Sequence, residues 1–233
     1  MIEFYGGYEV YSESGVDLTL LRSNLQRSIE QRLADNYRNA EGALAFWQSN
    51  PYRELLKGTR FDRSSTVSDV EAIVKLLAAH NVHFVLIGGQ ALRALGSAYI
   101  TEDTDICYQR TPGNLAALVA AFAPIHPYLR GVPPGLPFRF DVPTLEAGLN
   151  FTLDTDYGKI DILGEVSGIG FYDQVLAQSV EKEVYGLSLR ILSVDGLIAA
   201  KKAAGRTKDQ LHLLELIELK KILDAAKPTE PMP

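Results

Sequence analysis

FVLIGGQALRALGSAYITEDTDICY, residues 84–108, holds two strand patterns separated by a glycine pair and a short helical segment. Its first six residues follow Val82 and His83, and the run Val82–Ile87 reads as a buried strand that ends at Gly88-Gly89. A short helix through Ala91, Leu92 and Leu95 comes next. Asp103-Thr104-Asp105-Ile106-Cys107-Tyr108 then reads as a second strand. Alternate side chains of a strand share a face, so Asp103 and Asp105 project the same way, about 7 Å apart along the backbone. Two neighbouring carboxylates repel and desolvate badly without a cation, so the pair points to a divalent metal. Magnesium, a hard ion that takes carboxylate and phosphate oxygens, is the natural occupant, with manganese as the alternative. Glycines between a strand and a helix allow close backbone approach, and a helix N-terminus offers N–H groups to phosphate. No Walker loop and no G-x-G-x-x-G occurs here.

Working outward, Ser68 and Glu71 form a capping box before Val70, Ile73, Val74 and Leu77, one face of a helix. Pro112 to Ala123 reads as a helix with proline in its first turn. Pro124 to Pro143, rich in proline and glycine, reads as a long loop. Phe151–Thr155 and Lys159–Leu163 form a hairpin around Tyr157-Gly158. Within it Asp161 lies between Ile160 and Ile162, mid-strand, where aspartate is depleted and needs a reason. Asp154 and Asp156 compete for the place of a third carboxylate, but they flank the turn, where aspartate is ordinary. Strands over Glu181–Tyr185 and Leu187–Leu192 and helices over Val194–Ala204 and Thr207–Leu223 complete the pattern. In the last of these, Asp209 reads as a first-turn residue beside a Thr207/Gln210 capping box.

The N-terminal third is simpler. Residues 1–16 read as an irregular or short β arm, and Asp17 to Phe46 as a helix with Leu20, Leu21, Leu25, Ile29 and Leu33 near helical spacing. Pro51 and Lys57–Ser65 read as a linker. The organisation expected is an arm and helical extension over residues 1–65, a main domain over 66–226 and a disordered tail over 227–233. Trp47 is expected to anchor the extension by packing.

Composition sets the bounds. With 233 residues, 46% hydrophobic and 22% charged, the chain can build a sizeable core. Its net charge of −6 argues against a general nucleic-acid coat, though not against a local basic patch. One cysteine, Cys107, rules out an internal disulfide framework and reads as a packed thiol. The four histidines fall in no zinc spacing. The first nine residues lack the basic and apolar segments of a leader, and no apolar run is long enough for a bilayer, so a cytoplasmic protein with no membrane association is expected. Lys201, Lys202, Arg206 and Lys208 form a basic cluster in an acidic chain. It reads either as a solvated helix end favoured by the dipole or as a phosphate contact, with Lys202 and Arg206 on one face unless Gly205 ends the helix.

Taken in order, strand, Gly-Gly, short helix, Asp-x-Asp strand and distant strand aspartate resemble the signature of the polymerase-β-like nucleotidyltransferases. More narrowly, the chain resembles bacterial nucleotidyltransferases related to AbiEii-type toxins. The likeness continues through TPGNLAALVAAFAPIHPYLRG, LNFTLDTDYGKIDILGE and LSVDGLIAAKKAAGRTKDQLHLLEL, covering roughly residues 68–225. It implies an α/β fold of the α+β kind: a mixed sheet flanked by helices, with the N-terminal helices as an extension. It further implies that Asp103, Asp105 and Asp161 hold two magnesium ions and that Asp161 helps activate the attacking hydroxyl. Gly88, Gly89, Lys201, Lys202 and Arg206 would bind the nucleoside triphosphate. Two positions depart from the pattern: Gly89 stands where relatives often have serine, and Tyr99 where they commonly have arginine, with Arg93 as the nearby substitute. The activity implied is transfer of a nucleoside monophosphate to a hydroxyl. The acceptor would be tRNA in a toxin with an antitoxin partner, a protein, or a small molecule such as an antibiotic. A non-catalytic binding module that keeps the fold is the alternative.

Overall fold

The computed structural model describes residues 4–5, 8–49, 51, 67–132 and 137–226. A seven-stranded mixed sheet forms the centre, and it grows from residues 84–108. Strand β3 (Phe84–Ile87) is buried along its whole length and lies antiparallel to β4 (Asp103–Tyr108), with Ile87 opposite Asp105. β4 runs parallel to β7 (Gly158–Leu163), which forms a hairpin with β6 (Asn150–Thr155). The short β5 (Tyr128–Leu129) closes that side. On the other side β11 (Leu187–Leu192) joins β3 in parallel and pairs with β10 (Ser179–Val184). The sheet order is therefore β10-β11-β3-β4-β7-β6-β5. Two small ribbons lie outside it, β1 (Phe4–Tyr5) with β2 (Tyr8–Glu9), and β8 (Glu165–Val166) with β9 (Gly170–Phe171).

Helices flank the sheet. α3 (Val70–Ala79) buries Val70, Ile73, Val74 and Leu77, the face its sequence marks out. It packs with α5 (Pro112–Phe122), which in turn contacts α6 (Val142–Ala147). A second group comprises α1 (Leu18–Leu25), α2 (Ile29–Gln48), α4 (Gly88–Leu95), α8 (Val194–Ala204) and α9 (Thr207–Ala225). The short α7 (Tyr172–Ala177) rests on β3, β4 and β11. Leu18, Leu21 and Leu33 of the N-terminal helices join the same core as Leu86, Ile106 and Ile162. Phe46 is exposed and Trp47 half-buried at the end of α2. Among the described residues no helix is long and apolar enough to cross a membrane.

Several local expectations change. The single N-terminal helix is two, because Ser28 and Gln31 form a reciprocal capping box that starts α2 afresh. Ser68 does not cap α3. Asp69 does, accepting from the Ala72 N–H at 3.0 Å, while Ser68 shares a buried hydrogen bond of 2.8 Å with Thr104 and Glu71 pairs with Lys75. The Pro124–Pro143 stretch contains a turn of 3₁₀ helix (Ala123–Ile125), β5 and the start of α6. β8, β9 and α7 occupy residues whose pattern predicts no element. Gly205 ends α8 in the left-handed conformation, so Lys202 and Arg206 share no helix face. The linker at 57–65 and the tail at 227–233 lie outside the described residues.

Candidate metal centre and cleft

Strand register builds the site. The parallel pairing of β4 and β7 sets Asp105 beside Asp161, and Asp103 is two residues earlier on the same face of β4. One carboxylate oxygen from each of the three lies within 4.8 Å of the others. Asp154 and Asp156, the turn-side competitors, lie elsewhere: Asp154 faces Arg130 and Asp156 pairs with His126.

The glycines serve this cluster directly. Gly88 has φ +62°, and a Cβ there would sit 2.0 Å from Asp105 Oδ2. At Gly89 a Cβ would sit 2.5 Å from the Thr101 side chain. Both positions must be glycine for the strand end, the helix start and the carboxylate to share one space. The N–H of Gly89 also donates to Asp105, so the start of α4 serves the aspartate itself.

Asp103 is held from the other side. Its Oδ1 accepts from Thr101 Oγ1 at 2.6 Å. Thr101 in turn is fixed by Asn36 of α2, which donates to the Thr101 carbonyl and accepts its N–H, each at 3.0 Å. The N-terminal extension thus anchors the segment that leads into β4, a contact the sequence reading did not anticipate. Buried polar residues recurring on one face of α1 and α2 (Asn24, Arg32, Asn36) were the available signal.

Three carboxylates so close cannot all be ionised cheaply. Burial, then the charges of Asp103 and Asp161, push Asp105 up to about 8, against the pull of the Gly89 N–H and Arg130. Burial pushes Asp161 up to about 6, and Arg130 draws it back down. Arg130 Nη2 lies 2.8 Å from Asp161 Oδ1, yet its directed hydrogen bond goes to the Leu153 carbonyl at 2.9 Å. Asp161 Oδ1 is therefore buried in an ion pair with Arg130. Carboxylate oxygens that converge this closely in one cleft are the donor set a hard divalent cation requires. These residues fit such an ion.

The cluster lines a cleft of about 240 Å³. Gly88, Gly89, Lys201 and Arg206 line it too, whereas Lys202 is exposed on α8 and does not. Lys201 pairs with Asp209 at 2.9 Å and meets His212 Nδ1 at 3.1 Å. His212 packs on Tyr99 with ring centroids 4.0 Å apart, and both rings line the cleft. Asp209 is thus a buried partner of Lys201 as well as a first-turn residue of α9, whose N-cap is Arg206, and the Thr207 side chain of the expected capping box lies outside the described residues. Burial and the charges of Asp103 and Asp105 raise the Tyr99 hydroxyl pKa. Arg93 does not stand in for an arginine at that position. It is buried between α4 and α2, donating to the carbonyls of Ser97 and Arg32. The Cys107 thiol, buried mid-strand, is pushed up to about 12 and offers no nucleophile.

No family model matches the chain, and no curated protein matches it. Among solved structures it is similar to the lincomycin-bound crystal structure of LnuA, a lincosamide antibiotic adenylyltransferase. The two are 14% identical, the match covers 66% of this chain and 99% of that one, and the TM-score is 0.45. A likeness this slight assigns neither activity nor ligand.

Proposed function

We propose that the chain is a metal-dependent nucleotidyltransferase, moving a nucleoside monophosphate from a nucleoside triphosphate to a hydroxyl group. The observation that carries this reading is the convergence of three carboxylates within 4.8 Å in a cleft that also holds Lys201 and Arg206. A site for cations beside side chains of positive charge suits a polyphosphate held through both.

Asp103, Asp105 and Asp161 would hold the divalent ions, which when bound neutralise charge on the α-phosphate and on the leaving pyrophosphate. Gly88 leaves room for the Asp105 carboxylate, and Thr101 fixes Asp103 by its hydroxyl. Lys201, on its Asp209 partner, is positioned to meet phosphate oxygens, and Arg206 adds a second charge at the cleft. Asp161, whose pKa burial raises to about 6, would help activate the attacking hydroxyl, as the resemblance implies. In the reaction the acceptor oxygen bonds to the α-phosphorus, the α–β phosphoanhydride bond breaks and pyrophosphate leaves. For the acceptor, the resemblance to AbiEii-type toxins favours a hydroxyl of tRNA, in an enzyme restrained by an antitoxin.

The test is incubation with each of the four labelled nucleoside triphosphates and magnesium, offering total tRNA, a protein lysate or a lincosamide as acceptor. Label on tRNA that Asp105→Ala abolishes supports the full reading. Label only on protein or antibiotic keeps the reaction and replaces the acceptor. No label, together with no magnesium-dependent thermal stabilisation by any nucleotide, overturns the enzyme in favour of a binding module.

A further inference from the structure

Arg130 was not singled out by the sequence, and it does not line the cleft. It follows β5 and reaches across the hairpin, its backbone N–H donating to the Thr152 carbonyl at 2.9 Å. Its guanidinium lies between two carboxylates on neighbouring strands. Nη2 is 2.8 Å from Asp161 Oδ1, and Nε is 3.4 Å from Asp154 Oδ1. Nη2 is pinned by the Leu153 carbonyl at 2.9 Å, so the fork is fixed in place by backbone. Arg130 Nε, Asp154 Oδ1 and Asp161 Oδ1 are all buried, so these ion pairs are shielded from water.

A guanidinium 2.8 Å from one carboxylate oxygen, and itself pinned by a backbone carbonyl, fixes where that carboxylate stands and holds it by charge. We infer that Arg130 is a positioning residue for Asp161, holding the third carboxylate in the cluster and ready to take a divalent cation, with Asp154 sharing the guanidinium. This inference rests on the metal-centre reading above. Outer partners of this kind orient the ligands they touch, and losing one typically lowers metal affinity by about 10- to 100-fold.

The experiment is titration of the full chain with Mn²⁺ alone, free ion being followed by electron paramagnetic resonance, at a temperature where every variant is folded. Arg130→Gln, close in length but uncharged, is expected to bind Mn²⁺ about 10-fold more weakly or worse. Arg130→Lys keeps the charge without the fork, should fall between that variant and the unaltered chain, and serves if Arg130→Gln does not fold. Unchanged affinity with a lower melting temperature would make Arg130 a structural residue and overturn the inference. Tighter binding would make it a competitor of the cation and overturn it equally. Arg130→Lys binding as well as the unaltered chain or better would also overturn it. An unaltered chain that binds no Mn²⁺ would instead sink the metal centre itself, a separate failure.

Discussion

Replacing Gly88 by alanine adds one methyl group at the point where β3, α4 and the carboxylate cluster meet. Two costs follow from the structure. Gly88 has φ +62°, and an L-residue held in that region costs about 1–2 kcal/mol. The new Cβ would also lie 2.0 Å from Asp105 Oδ2 and 2.7 Å from its Cβ. Asp105 must then retreat by more than about 1 Å to regain ordinary contact. It cannot retreat freely, because β4 is pinned between β3 and β7 and Asp105 is paired in register with both. A displacement of that size at a reacting centre costs about 100-fold in rate. Gly88→Ala should therefore lose at least 1 kcal/mol of stability by denaturant titration, and Mn²⁺ affinity and transfer rate should collapse with it. Gly42, mid-way along α2 with nothing near its missing Cβ, supplies the control, and alanine there should add about 0.5–1 kcal/mol without touching activity. A Gly88→Ala protein with native metal affinity and native stability would show that Asp105 does not need the space at position 88.

Three further outcomes follow. Asp105 and Asp161 have folded-state pKa values above their unfolded ones, so their contribution is complete below about pH 4 and drains away as pH rises through about 6 and about 8. The metal-free chain should lose melting temperature between pH 5 and pH 8, Asp105→Asn should flatten that loss, and Mn²⁺ should bind more tightly with release of protons as pH rises over the same window. Lys201→Ala should cut transfer by about 100-fold, while Lys202→Ala should stay within about twofold of the unaltered chain, both read as initial rates at fixed triphosphate. Arg32 donates from a buried position to the carbonyls of Asn24 at 2.8 Å, Arg27 at 2.9 Å and Ala94. Arg32→Ala leaves those acceptors unmet and should cost about 3 kcal/mol or more in a denaturant melt.

The sequence made some of this readable for clear physical reasons. A continuous apolar run, a glycine pair and carboxylates at i and i+2 carry local periodicity, so β3, the start of α4 and the face shared by Asp103 and Asp105 could be drawn before any coordinates. The choice of Asp161 over Asp154 also rested on local logic, mid-strand against turn. Arg130 was invisible because it sits in a proline- and glycine-rich stretch with no period, and its partners are 24 and 31 positions away. Asn36 was obscured for a similar reason, since its contact with Thr101 spans 65 positions. The requirement for glycine at position 88 was read as access for a phosphate, whereas the space is taken by Asp105, 17 residues on. The break between α1 and α2 is different: Ser28-x-x-Gln31 lay in plain view, and the leucine spacing across it masked the stop.

The register of β4 against β7 gives the site an unusual kind of fragility. Asp105 faces Asp161 because Asp103 faces Lys159, and a slide of two residues would set Lys159 opposite Asp105 instead. The whole strand would keep its apolar face, so such an error would be nearly silent to the core, yet an ammonium would stand where a carboxylate belongs. Two contacts outside the cluster guard against it. Lys159 is tied to Glu102 at 2.9 Å, and Gly158 is pressed so closely on Val67 and Ser68 that even a methyl group would come within 2.6 Å of their backbone. Substitutions at Gly158 or Glu102 should therefore pull the carboxylate cluster apart while every aspartate remains in the sequence, so the presence of the three aspartates does not by itself preserve the site.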